Sequence, residues 1–224
     1  MLKALIVGAC TRIVPSALLA ATVATAHAAS AAPQLDAGTY MITTVMYGPG
    51  GSVTSQELFS LGFADGVAVA RLMDRSGEMV IAPASVDRNG LVDTATRHPA
   101  IVCYDLAMAV LADAASRTTT SPLSIAFAGG TVTVPLALVS ARSTDGTQNI
   151  TARGITEAML ADGAGGTPVT FVASGDVTAR RGALLAARFD EVGMLKSTGA
   201  AVTRMSCAVT KLQDGASRVT ARAI

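Results

Sequence analysis

Residues 200–224, AAVTRMSCAVTKLQDGASRVTARAI, decide the fold class because apolar and polar side chains alternate on both sides of a turn signal. In the first arm, Met205, Cys207 and Val209 share one face, and Arg204 lies on the other. Residues 218–224 alternate in the same way. Alternation with a period of two is typical of a half-buried strand. The segment therefore predicts an antiparallel β-hairpin.

The register of this hairpin depends on the length of its turn. A two-residue Asp-Gly turn would place Val209 opposite Thr220 and mix the two faces. A three-residue loop, 213–215, places Val209 opposite Val219 instead. Gly215 then takes the left-handed conformation, which glycine adopts without steric cost. We therefore predict the three-residue loop.

On that register Arg204, Arg218 and Arg222 all point away from the apolar face. They form a candidate binding site for an anionic glycan, a lipid head group or an acidic protein partner. The alternative is an ordinary solvated strand face, which needs no ligand.

A second Asp-Gly turn resembles the first. Residues 145–155 match residues 214–224 at six of eleven positions. The match indicates either an internal duplication of a hairpin or chance in a chain rich in Ala, Thr and Arg. The same turn chemistry predicts that a loop over 144–146 joins a strand within 132–141 to one within 148–153.

The N-terminus has the features of a secretory signal peptide. Lys3 and Arg12 precede and flank an apolar run, 13–23, and Ala-His-Ala at 26–28 fits a cleavage site. We expect cleavage after Ala28, which leaves residues 29–224 as a single β-rich domain that is secreted or periplasmic. A lipidated Cys10 is the alternative processing route.

The charge of the mature chain argues against nucleic acid as a partner. Cleavage removes Lys3 and Arg12, so the 17 basic residues become 15 against 16 acidic ones, a net charge of −1. No apolar run of about 18 residues follows Ala28, so no helical membrane span is expected in the mature chain.

Two cysteines, Cys103 and Cys207, remain after cleavage. Cysteines of an exported protein meet an oxidising compartment, where two of them normally pair. A redox role favours thiols that lie close together in sequence and are exposed. These two are far apart and sit in apolar segments, so we predict a structural disulfide, with Cys103 on a short buried strand at 101–104.

The remaining elements are mostly short strands. Residues 123–128 and 132–136 predict a hairpin with a Gly129-Gly130 turn that pairs Phe127 with Val132. Thr54 to Glu57 resembles a capping box and predicts a short helix through Leu61. Other strands are predicted near 38–47, 66–73, 78–82, 168–180 and 189–196, and other helical segments at 106–116, 156–161 and 183–188. The fold class that follows is mainly β, an antiparallel β-sandwich or barrel-like fold with one or two short helices.

Catalytic chemistry is hard to find in this sequence. No hydrolase, zinc-protease, phosphate-binding or calcium-binding motif is present. The mature chain holds one histidine, His98, and the sequence names no partner that would position it as a base. We therefore predict no catalytic residue, no metal site and no cofactor.

Three hypotheses of function fit these observations, a leading one and two alternatives. The first is a non-enzymatic exported protein with a structural or interaction role, acting through a sheet edge or the arginine-bearing face. The second is a secreted hydrolase whose site is assembled from residues distant in sequence. The third is a small-ligand-binding β-barrel, which would need a large apolar cavity.

Overall fold

The computed structural model describes residues 35–212 apart from 36, 49–50, 96–97, 128–129 and 161–165. Ten strands and one helix make up this part of the chain. Their bounds are β1 Gly38–Gly48, β2 Gly51–Ala64, β3 Val67–Met73, β4 Met79–Ser85, α1 Pro99–Ala115, β5 Thr120–Phe127, β6 Gly130–Arg142, β7 Thr147–Leu160, β8 Thr167–Arg180, β9 Ala183–Leu195 and β10 Ala201–Lys211.

All ten strands belong to one antiparallel sheet with the order β4-β3-β2-β1-β10-β9-β8-β7-β6-β5. The predicted fold class, mainly β with an antiparallel barrel-like sheet and few helices, is confirmed. Neighbouring strands are also neighbours in sequence except at one place. There β10, the last strand, lies between β1 and β9 and joins the two halves of the sheet.

Helix α1 packs against one face of the sheet, called here the inner face. The helix begins with Pro99 in its first turn and His98 as the N-cap, a combination that favours helix initiation. Tyr104 of α1 stacks on Phe59 of β2 with ring centroids 4.2 Å apart and meets Tyr40 of β1 edge-on at 5.6 Å. Burial raises the pKa of Tyr104 far above its usual range. This aromatic cluster anchors the helix on the sheet.

One helix cannot cover the inner face of ten strands, and the sheet covers the rest itself. Strand β6 pairs with β7 only from Ala137 onward, its first half pairs with β5 alone, and β6 also contacts β8. Val134 of β6 and Phe171 of β8 are fully buried as a result. Gly154 of β7 permits this approach, because a Cβ there would collide with the carbonyl oxygen of Pro135.

Three segments predicted to be helical are strands. Residues 54–61 belong to β2, because Glu57, Phe59 and Leu61 alternate into the inner face and pairing with β1 and β3 outweighs the capping-box signal. Residues 156–160 extend β7, and residues 183–188 begin β9. Residues 156–160 pair with β8, and residues 186–188 pair with both β8 and β10, so cross-strand pairing decides the conformation of these segments.

The sequence also predicts the β6–β7 and β5–β6 hairpins, and only the first has the predicted register. The loop over 144–146 is confirmed: Gly146 has φ 84°, and Ser143 and Thr147 share a backbone hydrogen bond of 2.8 Å. The β5–β6 hairpin is shifted by two residues, since Phe127 pairs with Gly130 rather than Val132. A shift of two keeps every side chain on its predicted face. Alternation alone therefore cannot distinguish the two registers.

The predicted C-terminal hairpin is half correct. Cys207 and Val209 of β10 are buried and Arg204 lies on the opposite face, as the alternation predicts. The second arm, 218–224, lies outside the described residues. Its predicted pairing with β10 is wrong, however, because Val209 already pairs with β1 on one side and with β9 on the other.

Candidate functional site

A disulfide between Cys103 and Cys207 joins α1 to β10, with Cα atoms 6.2 Å apart and a sequence separation of 104. Both residues are buried. The expected placement of Cys103 on a strand is wrong, because the capped and proline-initiated helix already begins at Pro99 and includes residues 101–104. The bond fixes the helix to the central strand of the sheet.

His98 is the first candidate for a general base in an enzymatic hypothesis, and its side chain caps helix α1. Its Nδ1 accepts a hydrogen bond of 3.3 Å from the backbone N–H of Ala100. Its Nε2 lies 4.0 Å from Oε1 of Glu57, a carboxylate buried on the inner face of β2. An Nδ1 that accepts a bond leaves the proton of a neutral ring on Nε2, facing Glu57. The contacts of His98 in the described residues are therefore with the helix cap and with Glu57.

The described part of the chain also offers little to a metal or a large ligand. It holds no group of three or more His, Cys, Asp or Glu placed to bind a metal ion. Within the same residues no helix combines the length and apolar character needed to span a bilayer. Helix α1 and the β5–β6 hairpin both contribute side chains to the buried core of the described residues.

Four of the eleven large apolar side chains that are exposed in the described residues lie at the end of the sheet where β1 turns into β2 and β10 begins. We call this region the hairpin-end surface; it comprises Met46, Tyr47, Val53, Val202 and Arg204. Val53 is 72% exposed and Met46 is 51% exposed. Met46 and Val53 are cross-strand partners on the inner-face side of the hairpin, and Tyr47 lies on its outer side. The hairpin is therefore apolar on both faces where it extends past α1.

Arg204 is the charged member of this surface. It pairs with Tyr47 across the β1–β10 ladder, and its guanidinium lies 4.5 Å from the centroid of the Tyr47 ring. Among the described residues no carboxylate forms an ion pair with it. A cation held over an aromatic face keeps its hydrogen-bond donors free for a partner. The other two predicted arginines, Arg218 and Arg222, lie outside the described residues.

A groove of about 410 Å³ opens beside this pair. Tyr47 and Gly48 form one wall, and the first residues of β10, from Ala201 to Arg204, form the other. The register of β10 shifts at Ala201 and Thr203, which leaves Val202 partly exposed in the groove. The result is a shallow apolar groove with one guanidinium at its side.

The two edges of the sheet are poor templates for an added strand. Strand β4 carries Pro83 and strand β5 carries Pro122. Proline cannot donate to a β-ladder, and both residues are typical of edges that resist pairing. Pairing of β4 with β3 is irregular in addition. Of the two contact routes predicted from the sequence, the arginine-bearing face has the stronger geometry.

Sequence reasoning identified Arg204 and missed the apolar residues around it. A signal was present: residues 37–56 contain no charged residue, and glycines and a proline occupy the turn at their centre. An uncharged hairpin of this kind predicts either a buried strand pair or an exposed apolar one. The sequence does not show how far the covering helix extends.

No known family matches the sequence, and no curated protein is similar to it. Among solved structures, one similar chain is a putative outer membrane lipoprotein-sorting protein domain from Vibrio parahaemolyticus. It shares 9% sequence identity over 79% of this chain and 84% of that chain, with a TM-score of 0.20. At that TM-score the similarity does not carry a functional assignment, which rests on the geometry of this chain.

Proposed function

We propose that the protein is an exported, non-enzymatic binding protein that contacts a protein partner through its hairpin-end surface. The observation that carries the proposal is that exposed Met46, Tyr47, Val53 and Val202 lie near the guanidinium of Arg204, which forms no ion pair within the described residues. Tyr, Met and Arg are enriched in protein interfaces. Export is supported by the signal-peptide pattern of residues 1–28 and by the buried disulfide.

The size of the surface indicates a partner that encloses the hairpin. Covering one half-exposed apolar side chain contributes about 1 kcal/mol, so these four supply only a few kcal/mol. A stable complex normally buries about 800 Å² on each side. A groove that receives both faces of the β1–β2 hairpin end would reach more area than a flat contact on one face.

A protein fits this surface better than a lipid bilayer does. Stable attachment to anionic lipid takes a cluster of basic residues or a second anchor in addition to inserted apolar groups. Arg204 is the one cation of the hairpin-end surface. The partner chemistry that matches it is an apolar groove with a carboxylate or a row of carbonyl oxygens facing Arg204.

Site-specific photo-crosslinking tests the proposal. A photoreactive amino acid is placed at Val53 in one variant and at Val139 in another, and both are expressed in the native host and irradiated. Val139 is the matched control, because it is also a strand valine, is 70% exposed against 72% for Val53, and lies on β6 away from the hairpin end. We expect a discrete protein adduct from position 53 only, reduced by Arg204→Glu.

Two results would contradict the proposal. Equal adducts from both positions would show that position 53 reacts merely because it is exposed. Binding of the purified protein to vesicles of phosphatidylcholine and phosphatidylglycerol, lost in a Val53→Asp variant but kept in Val139→Asp, would replace the protein partner with a bilayer.

A further inference from the structure

A cavity of about 270 Å³ lies at the opposite end of the sheet from the hairpin-end surface. It is formed where the β6–β7 turn, the β8–β9 turn and the last turns of α1 meet. Its lining residues are Leu111, Ala115, Arg142, Gly146, Gln148, Arg181 and Gly182. Two arginines and one amide therefore share a single small cavity with two apolar side chains of the helix.

The polar side of this cavity carries positive charge that the described residues do not neutralise. Arg142 donates a hydrogen bond of 3.3 Å to Oε1 of Gln148, and neither Arg142 nor Arg181 forms an ion pair in the described part of the chain. Gln148 is only 6% exposed and donates a 2.8 Å hydrogen bond to Ser140. Within the described residues, one N–H of the Gln148 amide and most N–H donors of the Arg142 guanidinium therefore remain available to a ligand.

The carboxylate of the β6–β7 turn, Asp145, is already engaged. The carboxylate of Asp145 accepts bonds from the backbone N–H of Thr147 at 3.0 Å and from its hydroxyl at 2.8 Å. These bonds, with a smaller effect from Arg180, lower the pKa of Asp145. Carbonyl groups without a hydrogen-bond partner at the carboxyl end of a helix would repel an anion. In α1 the carbonyl groups of residues 112, 113 and 114 do have partners, because they accept hydrogen bonds from the backbone N–H groups of residues 116, 118 and 117, respectively.

We infer that this cavity binds a small organic anion, with its carboxylate or phosphate held by Arg142, Arg181 and Gln148 and its apolar group on Leu111 and Ala115. Guanidinium groups bind both oxyanions through charge-assisted hydrogen bonds. Leu111 and Ala115 are buried in α1 and present a fixed apolar floor. The volume lies just below the usual range for drug-sized ligands, which restricts the ligand to a short chain.

Titration of the ¹⁵N-labelled protein with hexanoate, hexyl phosphate and acetate, followed by NMR, tests the inference. The amides of Gly146 and Gly182 line the cavity and serve as reporters, whereas Gly62 on β2 serves as a distant reference. We expect saturable shifts at the two reporters, with the six-carbon ligands binding more tightly than acetate. Arg181→Gln should weaken binding about tenfold, the effect of one lost charge-assisted hydrogen bond.

The matched control is Arg180→Gln. Arg180 belongs to the same turn and loses the same charge, but its side chain lies on the outer face, opposite the buried Ala179. An equal loss of affinity in Arg180→Gln and Arg181→Gln would show general electrostatic attraction and overturn the site. Absence of saturable shifts up to about 10 mM hexanoate and hexyl phosphate would also overturn it. If acetate bound as tightly as the six-carbon ligands, Leu111 and Ala115 would not contribute to binding, and that part of the inference would be wrong.

Discussion

Replacement of Glu191 by Gln should stabilise the protein at pH 8 and leave its stability nearly unchanged below pH 5. Glu191 lies on the inner face of β9, between Ala173 of β8 and Met205 of β10. Both neighbours are apolar, and among the described residues no ion pair offsets the desolvation of the carboxyl group. Burial raises the pKa of Glu191 from 4.5 to about 7. The folded state therefore disfavours the charged form.

The sign and size of the effect follow from linkage. In the unfolded chain the carboxyl group loses its proton near pH 4.5, whereas in the folded chain it keeps the proton until about pH 7. Its contribution to stability is present below pH 4.5 and is lost as the pH rises to about 7. At about 1.4 kcal/mol per tenfold change in proton affinity, a rise of the pKa from 4.5 to about 7 sets an upper limit of about 3.5 kcal/mol. Because the side chain is partly exposed to water, we expect about 1–2 kcal/mol.

Urea unfolding of the wild type and of Glu191→Gln at pH 5, 6, 7 and 8 measures this difference directly. Other titrating groups are common to both proteins, so their contributions cancel. Glu157→Gln is the control, since Glu157 is exposed on β7 and forms a surface ion pair of 2.8 Å with Lys196. A gain for Glu191→Gln that is equal at pH 5 and pH 8 would refute the reasoning, because the carboxylate would then carry no desolvation cost.

Two further predictions concern the covalent and backbone constraints of the fold. Loss of the disulfide in a Cys103→Ala, Cys207→Ala double variant should lower the free energy of unfolding by about 3–5 kcal/mol, as measured by urea unfolding. The reason is that the bond links two residues with a sequence separation of 104 and so restricts the unfolded chain. A decrease of less than about 1 kcal/mol would show that packing alone holds α1 on the sheet. Gly146→Ala should cost about 1 kcal/mol or more, because φ is 84° there. Gly62→Ala, in an open position of ordinary φ, should be nearly neutral in the same melts, and equal losses would contradict the strain argument.

The sequence predicts those features of this fold that depend on local chemistry. The three-residue loop over 144–146 was predictable because the positive φ at Gly146 suits glycine and the strand faces on both sides must match. The buried face of β10 follows from alternation through Cys207 and Val209. The disulfide follows from cysteine count alone. Each of these conclusions needs only a few neighbouring residues or the number of cysteines in the mature chain.

Features that depend on distant strands were not predictable. Residues 54–61 carry a helix-start signal, and β1 and β3 make them a strand. Residues 101–104 look like a buried strand, yet Pro99 starts a helix that is buried on most of its circumference. A buried helix and a buried strand are both apolar runs, so their periodicity does not separate them. The hairpin-end surface was missed for the same reason, since exposure depends on where the helix stops covering the sheet.

The position of β10 connects stability to the proposed binding surface. In the described sheet, the half made of β1 to β4 and the half made of β5 to β9 are hydrogen-bonded to each other only through β10. The pairing of β1 with β10 joins Tyr40 to Lys211, a contact that closes most of the chain. Such non-local pairing carries a large entropic cost of loop closure, which the bond from Cys103 to Cys207 reduces by tying β10 to α1. Because Arg204 and Val202 come from the same strand, the hairpin-end surface forms only when β10 is in place.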